Sequence, residues 1–302
     1  MGGNSKLKYH VLMHVIILVW GFTGILGKLI LLPAEIIVWY RIVIALIGLV
    51  ILLPFFKIPY RLKYKNDFWK LAVVGIITAL HWVAFYKAIS LSTASLAVLC
   101  LSTTTLHVTW IDPIIMKRKF SWLEGLFGLL VIYGVYFVSS DFNPKEYLAL
   151  AYGLIAALLA AIFSVSNAKL VQTIPSGQIS LYEMLVGALF LTVYLFFTDQ
   201  LNAESLSMTT SDFWWLLVLG LICTSFPFML MIDVVKQIGA FTASLTINLE
   251  PVYTMILAIL ILNENEELSA NFYIGASLIV LVVIVNSLVK KRVKSKTYKK
   301  IL

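Results

Sequence analysis

Residues 34–56 read AEIIVWYRIVIALIGLVILLPFF, a run of 23 residues with only two charged side chains, Glu35 and Arg41. An apolar helix of about 20 residues is long enough to cross the hydrocarbon core of a bilayer. Because backbone polar groups find no water in lipid, the helix is the default conformation of such a run. This stretch therefore predicts a transmembrane helix, and the rest of the chain has the same character.

The composition of the whole chain agrees with this prediction. Of the 302 residues, 61% are hydrophobic and only 13% are charged, whereas about 25% of the residues of a soluble domain are charged. So few charges cannot cover a globule in water, which excludes a soluble enzyme, a disordered chain and a collagen-like fibre. The two cysteines, Cys100 and Cys223, lie in apolar runs and lack the spacing of a metal site or a disulfide framework. We expect an integral membrane protein without a metal or a cofactor.

Ten apolar runs follow one another, separated by turn residues or charges. We expect helical spans at residues 10–31, 34–56, 67–88, 93–116, 121–140, 147–171, 177–198, 212–235, 240–262 and 270–289. The break at 141–146 separates a first half, 10–140, from a second half, 147–289, and a basic tail follows at 290–302. The sequence therefore predicts an all-α membrane protein with ten transmembrane helices.

The basic residues are concentrated on one side of these spans. With the N-terminus in the cytoplasm, 19 of the 23 Lys and Arg residues fall on cytoplasmic segments, three fall on the other side and Arg41 falls within a span. Such an excess is typical of cytoplasmic loops, and a basic tail after the last span is attracted to anionic lipid. We therefore place both termini in the cytoplasm and assign the net charge of +8 to the membrane surface rather than to nucleic acid.

The second half repeats short patterns of the first half in the same order. Thr93-Ala94-Ser95-Leu96 matches Thr242-Ala243-Ser244-Leu245, and Tyr40-Arg41 aligns with Tyr182-Glu183. Because each half holds five predicted spans, an odd number, the second copy must be inverted relative to the first. Inverted repeats are characteristic of secondary transporters, which bind substrate at the repeat interface near the bilayer midplane.

Several short motifs lie in spans 1, 2, 3 and 9 and in the loop before the last span: Val19-Trp20-Gly21-Phe22, Tyr40-Arg41, Phe85-Tyr86-Lys87-Ala88, Asn248-Leu249-Glu250-Pro251 and the acidic loop Leu262-Asn263-Glu264. Together they resemble the EamA-like family of the drug/metabolite transporter superfamily, over nearly the whole chain. The resemblance implies two inverted five-helix repeats around a central cavity, with spans 5 and 10 at the periphery. It also implies movement of small metabolites, often outward. The chain departs from the family at Ser102, where a proline is expected, and at Lys117-Arg118-Lys119, where an acidic residue is expected.

Ionisable residues within spans are costly in lipid and are candidates for function by default. Glu250 lies ten residues after the start of the ninth predicted span, beside the helix-breaking Pro251. Its carboxylate could bind a substrate amine or carry a proton, or it could belong to a structural kink. Arg41 and Glu183 occupy equivalent repeat positions with opposite charge. Arg41 could hold a substrate carboxylate, but their depth and symmetry favour pairing of each residue with a neighbouring span.

Polar and aromatic residues within the spans supply further candidates. His81 and His107 are the mid-span histidines, and they could relay a proton, bind substrate or simply be hydrogen-bonded between helices. Aromatic side chains with a few polar anchors are typical of a small-molecule cavity, although packing explains them equally well. Further candidate contacts are Trp20, Phe22, Tyr86, Thr103, Phe163, Asn167, Tyr182 and Asn248, and Pro227 is a second candidate helix break.

The sequence thus predicts a secondary transporter in the cell membrane. We expect an exporter or exchanger of small metabolites such as amino acids, with a small-molecule substrate and the bilayer as partners and the proton as a candidate coupling ion. HExxH, GxSxG and P-loop signatures are absent, and we expect no enzymatic activity. An intramembrane lipid-modifying enzyme and a structural assembly protein are the alternatives, and the midplane spread of the candidates and the repeat count against them.

Overall fold

The computed structural model describes residues 3–117, 120, 122–227, 230–231, 234, 246–247 and 249–301, with side chains except at 3–6, 124, 286–288 and 290–301. This part of the chain is helical and contains no strand. In chain order the helices are α1 (Gly3–Leu29), α2 (Ala34–Phe55), α3 (Asp67–Leu91), α4 (Ala94–Ser102), α5 (Thr104–Met116), α6 (Trp122–Val138), α7 (Pro144–Leu170), α8 (Ser176–Phe197), α9 (Thr210–Leu217) with its π-helical continuation (Val218–Ser225), α10 (Glu250–Leu262), a 3₁₀ turn (Glu264–Glu266) and α11 (Ala270–Ile301).

The helices are those of a multi-pass membrane protein. Within the described residues, six segments are long and apolar enough to cross a bilayer: Leu7–Leu29, Ala34–Phe55, Asp67–Leu91, Ala94–Met116, Pro144–Leu170 and Ser176–Phe197. Four shorter apolar helices accompany them: Gly125–Val138, Thr210–Ser225, Glu250–Leu262 and Ala270–Val285. The observed α2 coincides with the predicted run 34–56 to within one residue.

Two of the predicted spans are not regular helices. The run 93–116 is divided at Thr103 into α4 and α5, although it has no proline there. The run 212–235 begins as an α-helix and widens into the π-helix Val218–Ser225, just before the buried Pro227. Proline cannot donate a backbone hydrogen bond, and single π-helical turns are frequent at functional sites.

The main buried cluster lies between α2, α3 and α8. Apolar side chains from these helices, such as Ile42, Phe85 and Met184, are almost completely buried in it. At the other side of the bundle α6 packs on α11, and a Cβ added at Gly275 would lie 2.5 Å from the carbonyl oxygen of Gly134. Small residues allow this backbone approach between membrane helices, where close packing replaces the hydrophobic effect.

Candidate functional site

A cavity of about 350 Å³ lies among the membrane helices and receives side chains from α1 to α5, α7, α8, α10 and α11. Aromatic and apolar groups form most of its wall, with a small number of polar and charged groups between them. Eight residues predicted from the sequence line this cavity: Trp20, Arg41, His81, Phe163, Asn167, Glu183, Glu250 and Pro251.

The break between α4 and α5 and the start of α10 both reach the cavity. At the end of α4 the Thr103 hydroxyl donates to the Cys100 carbonyl at 2.6 Å, and the Thr103 carbonyl accepts the amides of the next turn as α5 begins. Ser102 and Thr104, on either side of this break, line the cavity. The helix α10 begins at Glu250, and Glu250 and Pro251 also line the cavity. Discontinuous helices near the midplane are typical of transporter binding sites, because half-helix ends supply backbone polar groups.

Arg41 is almost completely buried, with 5% of its surface exposed, and its guanidinium group is held by neutral partners. Its Nε donates to Thr224 Oγ1 at 3.0 Å, and its Nη1 donates to the Tyr86 hydroxyl at 3.3 Å. The guanidinium carbon lies 4.0 Å from the centre of the Trp82 ring, which is a cation–π contact. We call Arg41 and Trp82, which line the cavity, together with Thr224 and Tyr86, which support Arg41 from behind, the arginine wall. Among the described residues, no carboxylate lies within ion-pair distance of Arg41.

The π-helix places Thr224 against Arg41. The Thr224 hydroxyl donates to the Leu219 carbonyl, five residues earlier, at 2.8 Å while it accepts the Arg41 bond. The next residue, Ser225, donates to the Gly220 carbonyl at 3.0 Å and to Ala45 of α2 at 3.1 Å. Wider i→i+5 spacing thus brings two hydroxyls of one helix onto α2. Sequence reasoning missed Thr224, which lies 183 residues from Arg41.

Glu183 and Asn167 form a hydrogen-bonded pair in the cavity wall. Asn167 Nδ2 donates to Glu183 Oε2 at 3.3 Å. Within the described part of the chain, Glu183 Oε1 and Asn167 Oδ1 are buried and have no hydrogen-bond partner. Glu183 is 3% exposed, so its carboxylate is desolvated. Buried polar groups are normally satisfied, and two unsatisfied acceptors on one hydrogen-bonded pair indicate a place for a donor.

Glu250 presents a third polar group to the same cavity. Its backbone carbonyl accepts the Thr254 hydroxyl at 3.0 Å, and that hydroxyl also donates to Gly21 of α1 at 3.1 Å, which ties α10 to α1. The Glu250 carboxylate makes no hydrogen bond or ion pair with the residues that the structure describes, and Arg41 acts on it electrostatically. We call Glu183, Asn167 and Glu250 the acidic wall.

His81 lines the cavity between the two walls. Its Nδ1 donates to the Ala156 carbonyl at 2.8 Å, which fixes the ring against α7. The ring is tilted against Phe163, with centroids 5.2 Å apart. His107 lies on α5 and is not among the cavity-lining residues, and both of its ring nitrogens are buried without a partner in the described structure. The two predicted histidines therefore occupy different environments.

The remaining predicted residues lie behind the cavity wall or outside the described structure. Tyr86 is buried and accepts a hydrogen bond from Arg41, and Thr103 donates its hydroxyl to the Cys100 carbonyl where α4 ends. Phe22 packs edge-on against Trp215, and Tyr182 packs edge-on against Phe68. Pro227 follows the π-helix without lining the cavity. Asn248 lies outside the described residues.

Several cavity residues were not identified as site candidates from the sequence. They share small polar side chains within apolar runs: Thr23, Thr78, Ser102, Thr104, Thr105 and Ser164. Of these, Ser102 is the most informative, because its hydroxyl is buried and has no partner among the described residues. Its departure from the expected proline was the available signal. In the described residues there is no group of three His, Cys, Asp or Glu side chains that could hold a metal.

Comparison with known proteins identifies the family. An uncharacterized transporter of Clostridium kluyveri is 24% identical over 259 residues, which is 81% of each chain. The uncharacterized transporter YoaV of Bacillus subtilis is 29% identical over 170 residues, which is 56% of each chain. A crystal structure of another protein superposes with a TM-score of 0.66 over 95% of this chain and 98% of that chain, at 15% identity, which shows a shared fold.

The sequence profile of the EamA-like transporter family matches the chain twice, at residues 7–140 and 147–288. These matches cover nearly the whole length and confirm the resemblance seen in the motifs. Both relatives are named as transporters, and the helices described above are apolar enough to cross a membrane. This protein belongs to the EamA-like transporter family.

Proposed function

We propose that this protein is a secondary transporter that moves a small polar metabolite, such as an amino acid or a related compound, by alternating access at the cavity. One observation carries the proposal. A single cavity between membrane helices contains a guanidinium and two carboxylates that form no ion pair with one another. Charged groups are costly inside a membrane, and they are retained there chiefly along substrate and ion pathways.

The size and lining of the cavity support a small ligand. Ligand pockets have volumes of roughly 300–1,000 Å³, mostly apolar walls and a few convergent polar groups. The observed volume of about 350 Å³ lies at the lower end of that range. Arg41 offers planar N–H donors suited to a carboxylate, while the acidic wall offers acceptors suited to a cation. A compound that carries both groups would neutralise both walls at once.

We further propose that the protein spans the cell membrane ten times as two inverted five-helix repeats. Six long and four shorter apolar helices support this count, and the two matches to the family profile support the repeat. The break between α4 and α5 in the first half and the start of α10 at Glu250 in the second half both reach the cavity, which supports equivalent roles. Export or exchange, rather than uptake, is the direction that we propose from the resemblance.

A counterflow experiment tests transport directly. The purified protein is reconstituted in liposomes loaded with a mixed pool of amino acids, nucleobases and organic cations, and exchange of labelled compounds is followed by mass spectrometry. We expect exchange of one compound class by the wild-type protein and its loss in Glu250→Gln. Exchange of no compound by a folded sample would contradict the proposal. Exchange that survives Glu250→Gln would retain the transporter and give Glu250 a structural role.

A further inference from the structure

We propose that Glu183 and Asn167 form the subsite that binds a primary ammonium group of the substrate. This inference rests on the proposed function of the cavity and assigns one chemical group to one place in it. It departs from the sequence-based interpretation, which favoured structural pairing for Glu183 and named Glu250 as a candidate for amine binding or proton transfer.

The hydrogen bond within the pair leaves two oxygen acceptors without a donor. Because Asn167 Nδ2 donates to Glu183 Oε2, the Asn167 amide oxygen is left as an acceptor beside the second carboxylate oxygen. Neither Oδ1 of Asn167 nor Oε1 of Glu183 has a partner among the described residues, and both residues line the cavity. Glu183 is buried, with only 3% of its surface exposed. A buried acceptor without a partner destabilises the protein, and more so when it is charged.

A primary ammonium group fits this need better than a quaternary ammonium group. It carries a full positive charge and three N–H donors, so one group can satisfy both oxygens and neutralise the carboxylate. A quaternary ammonium carries the charge but has no N–H to donate. The structure therefore predicts selection of primary over quaternary ammonium ions.

The surroundings distinguish Glu183 from Glu250. Arg41 lines the same cavity and acts electrostatically on Glu250, although the two groups form no ion pair. No basic side chain among the described residues forms an ion pair with Glu183. Its hydrogen-bond partner is Asn167, and the neighbouring Thr78 donates its hydroxyl to the Val74 carbonyl. The carboxylate that lacks a cation is thus the one on α8.

Backbone packing fixes Glu183 in this position. A Cβ added at Gly75 of α3 would lie 2.7 Å from the Glu183 carbonyl oxygen and 2.9 Å from its Cα. Only glycine allows α3 and α8 to approach so closely. This contact holds the Glu183 backbone of α8 against α3. A fixed backbone limits the conformational freedom that the Glu183 side chain loses when it binds a ligand.

Direct binding measurements test the subsite without requiring transport. Saturation-transfer difference NMR on the full-length detergent-solubilised protein would be titrated with n-propylammonium and, separately, with tetramethylammonium. We expect wild-type protein to bind n-propylammonium at least about tenfold more tightly than tetramethylammonium, because only the primary amine donates charge-assisted hydrogen bonds. Glu183→Gln should lose about tenfold or more in affinity for n-propylammonium. Glu35→Gln, the same change outside the cavity at the Lys87 ion pair, should bind like wild type.

Asn167 supplies a second test in case Glu183→Gln does not fold. Asn167→Ala removes one acceptor and should weaken n-propylammonium binding, whereas Asn167→Asp keeps an acceptor, adds charge and should not weaken it. Equal binding of the two cations, full binding by Glu183→Gln, or loss in Glu250→Gln alone would overturn the assignment. Intact amine selectivity without any exchange in liposomes would contradict transport and retain the subsite. Exchange without amine selectivity would contradict the subsite and retain transport.

Discussion

The two walls of the cavity carry opposite charge and differ in how fully that charge is supported. Arg41 has two hydroxyl partners and an aromatic ring against its guanidinium group. Glu183 has one long hydrogen bond and an oxygen without a partner, and the Glu250 carboxylate has neither a hydrogen bond nor an ion pair within the described structure. The arginine wall is therefore preorganised, while the acidic wall is complete only when a donor arrives. Preorganised groups bind ligand at low reorganisation cost.

Replacing Arg41 should have the largest effect on this contrast. Arg41→Ala removes the cation and leaves the Thr224 and Tyr86 hydroxyls with one partner fewer. We expect affinity for a carboxylate-bearing substrate found by counterflow to fall about 100-fold, which corresponds to roughly 2.8 kcal/mol. Arg41→Lys keeps the charge but not the planar fork, and its affinity should lie between the two. Wild-type affinity in Arg41→Ala would mean that Arg41 serves packing alone.

The acidic wall depends on the crossing of α3 and α8. Gly75→Ala places a methyl group against the Glu183 backbone, which cannot yield as a flexible side chain can. Overpacking of this kind costs about 1–3 kcal/mol, and we expect a lower apparent melting temperature in detergent. The matched control is Gly187→Ala on the same crossing, where the closest contact would be an ordinary 3.4 Å. Equal melting temperatures of the two variants would contradict this account of the crossing.

Thr224 tests whether support of Arg41 contributes to ligand binding. Thr224→Val keeps the shape of the side chain but removes the acceptor of the Arg41 Nε bond. We expect about a tenfold weaker affinity for the same carboxylate-bearing substrate, because hydrogen bonds to charged groups contribute about 1.5–3 kcal/mol. Ser225→Ala is the control, since Ser225 makes similar π-helical bonds without contacting Arg41. The support hypothesis fails if both variants weaken binding equally.

The smallest expected effect belongs to Ser102. Its hydroxyl and that of Ser95 are both buried without partners in the described structure, but only Ser102 lines the cavity. Removing an unsatisfied buried hydroxyl should leave stability unchanged or raise it by about 1 kcal/mol in Ser102→Ala and in Ser95→Ala. Thermal unfolding measures this change, and ligand titration should show about a fivefold loss of affinity in Ser102→Ala alone. Equal affinities in the two variants would remove Ser102 from the binding surface.

The sequence predicted the position of a helix where that position depends on local composition. The run 34–56 predicted α2 because apolar length is a property of consecutive residues. The break in α4–α5 could not be predicted in this way, since Ser102 stands where proline was expected and the break is held by hydroxyl and carbonyl groups at Cys100 and Thr103. The π-helix before Pro227 was not foreseen either, although the proline itself was noted as a break.

The charged residues of the site could be predicted from the sequence. Buried ionisable residues are rare in membrane spans, so Arg41, Glu183 and Glu250 were candidates before any coordinate was known. Their partners were not visible. Thr224 lies 183 residues from Arg41 in sequence, and hydroxyl residues are too common in spans to be singled out.

The sequence by itself determined that this protein is a helical membrane transporter of the EamA-like family with charged residues in its spans, because hydropathy and motifs are read along the chain. Only the tertiary structure decided that these charges share one cavity, that Arg41 is supported by neutral groups and that Glu183 and Asn167 keep unsatisfied oxygens. Such outcomes depend on distances of about 3 Å between residues far apart in sequence, which hydrogen bonding requires and local composition does not specify.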